Sequence, residues 1–273
     1  MILEKRYKIE LETIEPLRIG GVEDPRSGIH NPVTSLGDRV VIPGPSLKGA
    51  LRAELEQFLI DGWYNKSSQS WAKEKMTFQP CIPAPNPTID EQALIKSGKY
   101  RLGSCHYPCK IEERTERGTK VFRGDCTEAG KPNPHSICPI CYFLGAMGLN
   151  GFVRVPFLYA EISATEELYS ARIDRARSTV VEGTNRPYQL IRSGTKFKGE
   201  LVVVLEDAVT GWRIGKPRPL TDKTLGDKWL ENEVSKAEDL INTYIIQRLK
   251  SVRILGGYKS KGFGEVKIEV IPL

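Results

Sequence analysis

No apolar run in this 273-residue chain approaches the roughly 20 residues that cross a bilayer, so the sequence reading excludes a membrane-spanning helix. The first residues, MILEKRYKIELETI, are charged and alternate polar with apolar. That pattern excludes a secretory leader and predicts a cytoplasmic protein with no membrane partner. No segment repeats, which excludes solenoids and propellers. Negative charge is missing from one long stretch: Arg248 to Lys261 holds five basic residues and no acidic one. A second stretch, Ser170 to Lys198, sets seven basic residues, among them Arg175, Arg177, Arg186 and Arg192, against only Asp174 and Glu182. The whole chain is only mildly basic, with 40 Lys and Arg against 34 Asp and Glu. The clustering, rather than the net charge, points to a polyanionic partner.

Hydrophobic residues make up 40% of the chain, enough to fill one large core or two small ones. Lys5 to Ile14 alternates as a strand, and residues 16 to 40 read as loop. A helix is predicted from about Leu47 to Leu59. Residues 65 to 137 are Pro-rich and lack an apolar period. Phe152 to Ile162 and Gly199 to Glu206 read as strands. Asn232 to Leu249 is predicted helical, with Leu240, Ile241, Tyr244, Ile245 and Leu249 on one stripe. Glu265 to Ile271 alternates as a last strand. Without its insertions the chain reads β-α-β-β-α-β, an α+β ferredoxin-like arrangement that RNA-recognition domains also use. A single domain over residues 1–273 is expected, with a cysteine-rich insertion at 65–145 and a basic hairpin insertion at 168–198.

Two segments carry phosphate chemistry. In VVIPGPSLKGALRAE (40–54) a short strand runs into a helix, with Ser46 where an N-cap belongs. A helix start offers free N–H groups and a positive dipole end. Lys48 and Arg52 are four residues apart and share a helix face. In YKSKGFG (258–264), Lys259, Ser260 and Lys261 stand among glycines, which let a backbone approach phosphate closely.

Six cysteines fall between Cys81 and Cys141. In a reducing compartment that spacing argues for metal over disulfides. Cys138-Pro-Ile-Cys141 is a knuckle in which both sulfurs reach one ion, and structural zinc takes four such ligands. The expected set is Cys138 and Cys141, then Cys126, completed by Cys109 or Cys105, with His135 and His106 in reserve. The Zn2+ is expected to be structural, supplying stability that the Pro-rich insertion lacks.

At these residues the chain resembles the RAMP superfamily of CRISPR type III effector complexes, and within it the repeated subunit that coats guide RNA. The segments LRIGG (17–21), GIHNPV (28–33), IPGPSLKGALR (42–52), CPICYFLGA (138–146) and LGGYKSKGFGEVKI (255–268) carry the likeness. So does RSTVVEGTNRPYQLIRSGTKFKGEL (177–201), which is similar to the family's thumb hairpin. The resemblance implies a filament on crRNA, with target RNA paired between thumbs. Its expected partners are the large polymerase-like subunit, small subunits and further RAMP subunits. It implies that Arg18, Ser46, Lys48, Arg52 and the thumb arginines contact RNA. Gly256, Gly257, Lys259, Ser260 and Lys261 would form the glycine-rich loop beside the guide. An apolar thumb tip of Val180, Val181, Tyr188 and Leu190 would wedge beside a flipped base.

The chain departs from the family at one position. Cutting members place an aspartate in a Gly-Ile-Asp-x-Pro-Val loop, and here that position is His30. His30 and Asp24 are the candidate catalytic residues: a neutral histidine can act as a base near pH 7 but does not replace a carboxylate that holds Mg2+ or Mn2+, and Asp24 reaches the site only if the loop folds back. Binding without cleavage is therefore the expected activity. A target-cutting endonuclease, a guide-processing endoribonuclease and a stand-alone zinc-stabilised RNA-binding protein are the alternatives.

Overall fold

The computed structural model describes residues 3–23, 31–84, 86–101, 104–105, 110–115, 118–123, 137–146, 148–221, 224–225, 227–232 and 236–273. The chain divides into two compact units, each assembled from three separated segments. Met1–Lys5, Arg52–Arg154 and Val203–Ile245 form the first; Arg6–Leu51, Val155–Val202 and Ile246–Leu273 form the second.

The second unit is built on an antiparallel sheet. Its strands lie in the order Val266–Pro272, Leu3–Thr13, Lys196–Glu206, Leu158–Ala160, Arg39–Ile42 and Ser35–Leu36. Ile9 faces Val270, Leu11 faces Ile268 and Thr13 faces Val266. With Phe197 and Leu201, these side chains are buried on one side of the sheet. The two-residue period turns Lys8, Glu10, Glu12, Lys267 and Glu269 to the other side, where Lys8 pairs with Glu10 and Lys267 with Glu269.

The helix after the strand Arg39–Ile42 spans Gly44–Trp63, three residues earlier than its sequence start. The Pro43 carbonyl accepts the N–H groups of Ser46 (3.0 Å) and Leu47 (3.2 Å). Ser46 therefore lies inside the first turn rather than at the N-cap, and its N–H is already engaged. Pro45 fits this turn because the first helical N–H groups need no intrahelical partner. Leu47, Leu51, Leu55 and Leu59 recur every four residues and are fully buried. The single strand predicted over Phe152–Ile162 splits into Val153–Arg154 and Leu158–Ala160. Pro156 lies in the break and has no N–H for a ladder.

The first unit has an aromatic core. Trp229 is fully buried, with ring centroids 5.3 Å from Tyr142, 5.6 Å from Phe78 and 5.7 Å from Tyr244. The residues 65–137, read as irregular, contain a helix at Ile89–Lys96 with a Thr88–Glu91 capping box. They also contain a hairpin pairing Lys110–Thr115 with Gly118–Arg123. The predicted late helix opens as Ala237–Ile241 and passes into a π turn, Asn242–Ile246. Its predicted apolar stripe is buried. Among the described residues, no helix is long and apolar enough to cross a membrane.

A buried ion pair fixes the segment before Trp229. Arg218 Nε donates to Asp227 Oδ2 at 2.9 Å and Nη2 to Oδ1 at 3.0 Å, with the two side chains 1% and 0% exposed. Burial pushes the Asp227 carboxyl up, and Arg218 offsets much of that. The guanidinium also lies 4.7 Å from the Tyr142 ring centre. Replacing Arg218 with Met leaves a buried carboxylate unpaired, for an expected loss of about 3–5 kcal/mol. Arg213→Met breaks only the exposed pair with Glu206 and costs less than about 1 kcal/mol. Urea midpoints of the two variants measure the difference.

Candidate nucleic-acid interface and metal centre

In the second unit, three segments distant in sequence meet at Arg18. The chain turns at Gly256 (φ 75°), and the Gly257 N–H donates to the Arg18 carbonyl at 2.8 Å. A Cβ at Gly256 would lie 2.3 Å from that oxygen, so only glycine fits. Tyr258 follows in the left-handed region at φ 58°, ψ 28°, a costly conformation for a bulky residue. One 3-10 turn, Lys259–Lys261, then holds Lys259, Ser260 and Lys261 out to solvent.

The Arg18 side chain works beneath this loop. Its Nη1 donates to the carbonyls of Asn31 (2.8 Å) and Gln189 (3.0 Å). Its guanidinium lies 5.5 Å from the Tyr258 ring centre and 5.9 Å from that of Tyr188. Lys261 Nζ stands 4.5 Å from the Tyr258 ring centre, so two cations border one tyrosine. The Gln189 N–H donates to Asn31 O at 3.1 Å, and the Asn31 side chain donates to Pro187 O. The loop after the first strand, the hairpin stem and the glycine-rich loop therefore form one cradle, with lysines at its lip. Gly256, Gly257, Lys259, Ser260 and Lys261 stand in it together, as the sequence grouped them. Arg18 stands there too, but both hydrogen bonds of its Nη1 are internal.

The basic hairpin is present. Thr165–Ser170 pairs with Arg186–Ile191, and beyond them Ile173–Asp174 pairs with Thr179–Val180. Arg175, Arg177 and Arg186 are exposed, and Arg192 lies 3.7 Å from Glu166. The apolar tip needs correcting. Tyr188 and Leu190 are 8% and 0% exposed, low on the stem, whereas Ile173 and Val180 face each other at the outer end, 63% and 60% exposed. Lys48 is exposed and Ser46 half-buried on the first helix. Asp24 and His30 lie outside the described residues, although Asn31, next to His30, is tied to the hairpin stem.

Arg52 is also corrected. It does not stand in solvent beside Lys48. Its Nη2 donates to the Cys81 carbonyl at 2.6 Å, and its Nε pairs with Glu56 at 2.9 Å. There it meets a cluster in the first unit. Cys81, Cys105, Cys138 and Cys141 are all buried, with sulfurs within 4.8 Å of one another. Cys81 and Cys141 sulfurs are 3.4 Å apart, and those of Cys138 and Cys81 3.8 Å. Zn–S bonds near 2.3 Å in a tetrahedron separate sulfurs by about 3.8 Å, so the donor set fits. Cys138 caps the helix Pro139–Leu144, its sulfur accepting the Cys141 N–H at 3.5 Å. Burial works against the Arg52 charge, but the neighbouring cysteine sulfurs and Glu56 outweigh it and raise its affinity for the proton. The cluster can hold a metal ion such as zinc.

Of the ligands expected from sequence, Cys138 and Cys141 are present and Cys105 joins them. Cys109, Cys126 and His135 lie outside the described residues. Cys81 was not foreseen as a ligand. It has no nearby cysteine to make a knuckle and meets its partners across 57 and 60 residues. Cys81→Ser is expected to drop bound metal from about one equivalent per chain to well under half, since one ligand of four is gone. Cys109→Ser and Cys126→Ser are expected to keep the full equivalent. Elemental analysis of the purified chains checks both.

A family model described as the RAMP superfamily matches residues 10–267. A search of curated proteins gave no match. The matched span runs from the first strand into the last, and takes in the cradle around Arg18, the basic hairpin and the four thiols. RAMP proteins are associated with RNA binding and processing in CRISPR–Cas systems. On a match of that extent, the chain belongs to the RAMP superfamily.

Proposed function

We propose that this chain is a guide-RNA-coating backbone subunit of a CRISPR type III effector complex. One observation carries the reading: the lysine-bearing glycine loop is locked onto the stem of the arginine-rich hairpin through Arg18. Lys259 and Lys261 are the phosphate contacts, with Ser260 between them as a neutral donor. Lys48 on the first helix adds a further cation. Arg175, Arg177 and Arg186 line the hairpin, where exposed Ile173 joins the expected Val180 as the wedge in place of buried Tyr188 and Leu190. None of these groups reads a base edge, so the grip is independent of sequence and dominated by phosphate. The sheet order and its antiparallel sense support a ferredoxin-like core, and the four thiols support a structural Zn2+. Sister subunits and target RNA complete the partner set.

Binding without cleavage remains the favoured activity. His30 replaces the family's aspartate, and the described carboxylate nearest in the loop, Glu23, is engaged by the Asn31 N–H at 2.8 Å. Any cutting would use His30 as a base or Mg2+ or Mn2+ held in part by Asp24.

The test uses complexes purified with their sister subunits. Nucleic acid that co-purifies is expected to be RNA derived from repeats. Lys259→Glu with Lys261→Glu is expected to weaken guide binding at least tenfold. It should also flatten the dependence of log affinity on log salt by about 1.4, two single-strand phosphate contacts at about 0.7 each. Lys267→Glu, on the sheet, should leave both unchanged. Particles free of RNA, or a double charge reversal with unchanged affinity, would sink the proposal. In the same preparation, labelled target RNA with Mg2+ is expected to stay intact; regular cuts lost on His30→Ala would instead establish a nuclease.

A further inference from the structure

We infer that Arg52 and Arg101 are the built-in counter-ions of the four-cysteine centre: their N–H groups are aimed at its sulfurs and thereby set its affinity for metal. The inference rests on the reading of this cluster as a metal site. It concerns what surrounds the sulfurs rather than the sulfurs themselves.

Each sulfur has an N–H aimed at it. Arg52 directs Nη2 at Cys81 Sγ (3.6 Å) and Nη1 at Cys141 Sγ (3.8 Å). Arg101 directs Nη1 at Cys105 Sγ (3.9 Å), which also accepts the Cys138 N–H at 3.4 Å. Cys138 Sγ accepts the Cys141 N–H at 3.5 Å. The arginines are themselves held firmly. Arg101, 5% exposed, donates Nε to the Gln79 carbonyl at 2.9 Å and Nη2 to the Thr77 carbonyl at 3.3 Å. Arg52 is anchored on the Cys81 carbonyl and on Glu56, whose other oxygen accepts from the Tyr100 hydroxyl at 3.0 Å.

The charge balance gives this arrangement its purpose. Four thiolates around a divalent ion carry a net charge of two minus, in a place that water barely reaches. A buried net charge is costly unless opposite charge stands nearby. Guanidinium stays protonated in proteins, so the two offset much of the excess, with Arg52 shared between the sulfurs and the Glu56 carboxylate. Its planar fork lets one arginine serve a carbonyl and one or two sulfurs together, which a lysine ammonium on a flexible stem does less well. Outer hydrogen bonds of this kind tune metal affinity about 10- to 100-fold.

The test uses the full chain carrying Arg52→Met, Arg101→Met, Arg52→Lys or Arg101→Lys, loaded with zinc and titrated against a chelator of known affinity. Both methionine variants are expected to hold zinc 10- to 100-fold more weakly than the parent, and the lysine variants to lose only a few-fold. Cobalt(II) bound in place of zinc should keep its tetrathiolate absorption in every variant, since the ligands are intact. If a methionine variant fails to fold, the lysine variants carry the same measurement. Variants that bind within twofold of the parent would overturn the inference while leaving the metal reading intact. So would variants whose metal-free and loaded forms lose stability equally, which would make the arginines merely structural. A parent chain that takes up no metal would overturn the metal reading and this inference with it.

Discussion

The contact that orders the proposed RNA face is the double engagement of Arg18. Its backbone carbonyl accepts the Gly257 N–H, and its side chain ties Asn31 to Gln189. The same loops and hairpin stem are joined further by the Leu17–Ile191 pair, by Gln189 bonded to Asn31 and Val33, and by the Gly264 N–H on the Pro16 carbonyl. Tethers that converge on one place share the ordering cost among mutually supporting contacts. The glycine at 256 follows from that demand, because any side chain there would strike the Arg18 oxygen. Tyr258 is bent into an unfavourable backbone region at the same place. Strain of this kind survives where surrounding contacts over-determine it, and such places are commonly where ligands are met.

The first unit solves a different problem. Its long middle segment is poor in apolar periodicity and rich in proline, so a conventional core is not available to all of it. Two clusters compensate. One is aromatic, around Trp229, with the Arg218–Asp227 pair against its edge. The other is the group of four thiols, which draws together chain positions as remote as Cys81 and Cys141. Phe143, in the helix that Cys138 caps, stacks on Tyr244 at 5.3 Å, so the two clusters adjoin.

Much of this was legible in the chain itself, for clear reasons. Strand alternation and the four-residue leucine repeat report local geometry, so the main strands and the first helix were visible. Cys-Pro-Ile-Cys and the lysine-bearing glycine loop are local motifs and were equally plain. What escaped was set by distance or by reach. Nothing beside Cys81 marks it as a ligand, because its partners are brought to it only by folding. Spacing alone put Arg52 beside Lys48, yet its long side chain turns to a buried carbonyl and sulfurs. Arg18 was grouped with RNA contacts, but backbone oxygens from two other segments claim its Nη1. The helix start moved because the Pro43 carbonyl captures two N–H groups, an effect that no propensity scale contains.

The outer side of the sheet has a consequence for the route a nucleic acid can take. Glu10 and Glu269 stand directly opposite each other there, with Glu12 one step along and Lys8 and Lys267 interspersed. Sheets that stack bases present aromatic rings on such a side; this one presents an electrically mixed lattice in which Tyr159, opposite Lys198, already carries Arg39 over its ring. A strand of phosphates laid flat across it would be repelled at nearly every carboxylate it crossed. On the RNA-binding reading proposed above, the sheet would serve as a frame rather than a platform, with its rim, where the loops gather, as the track.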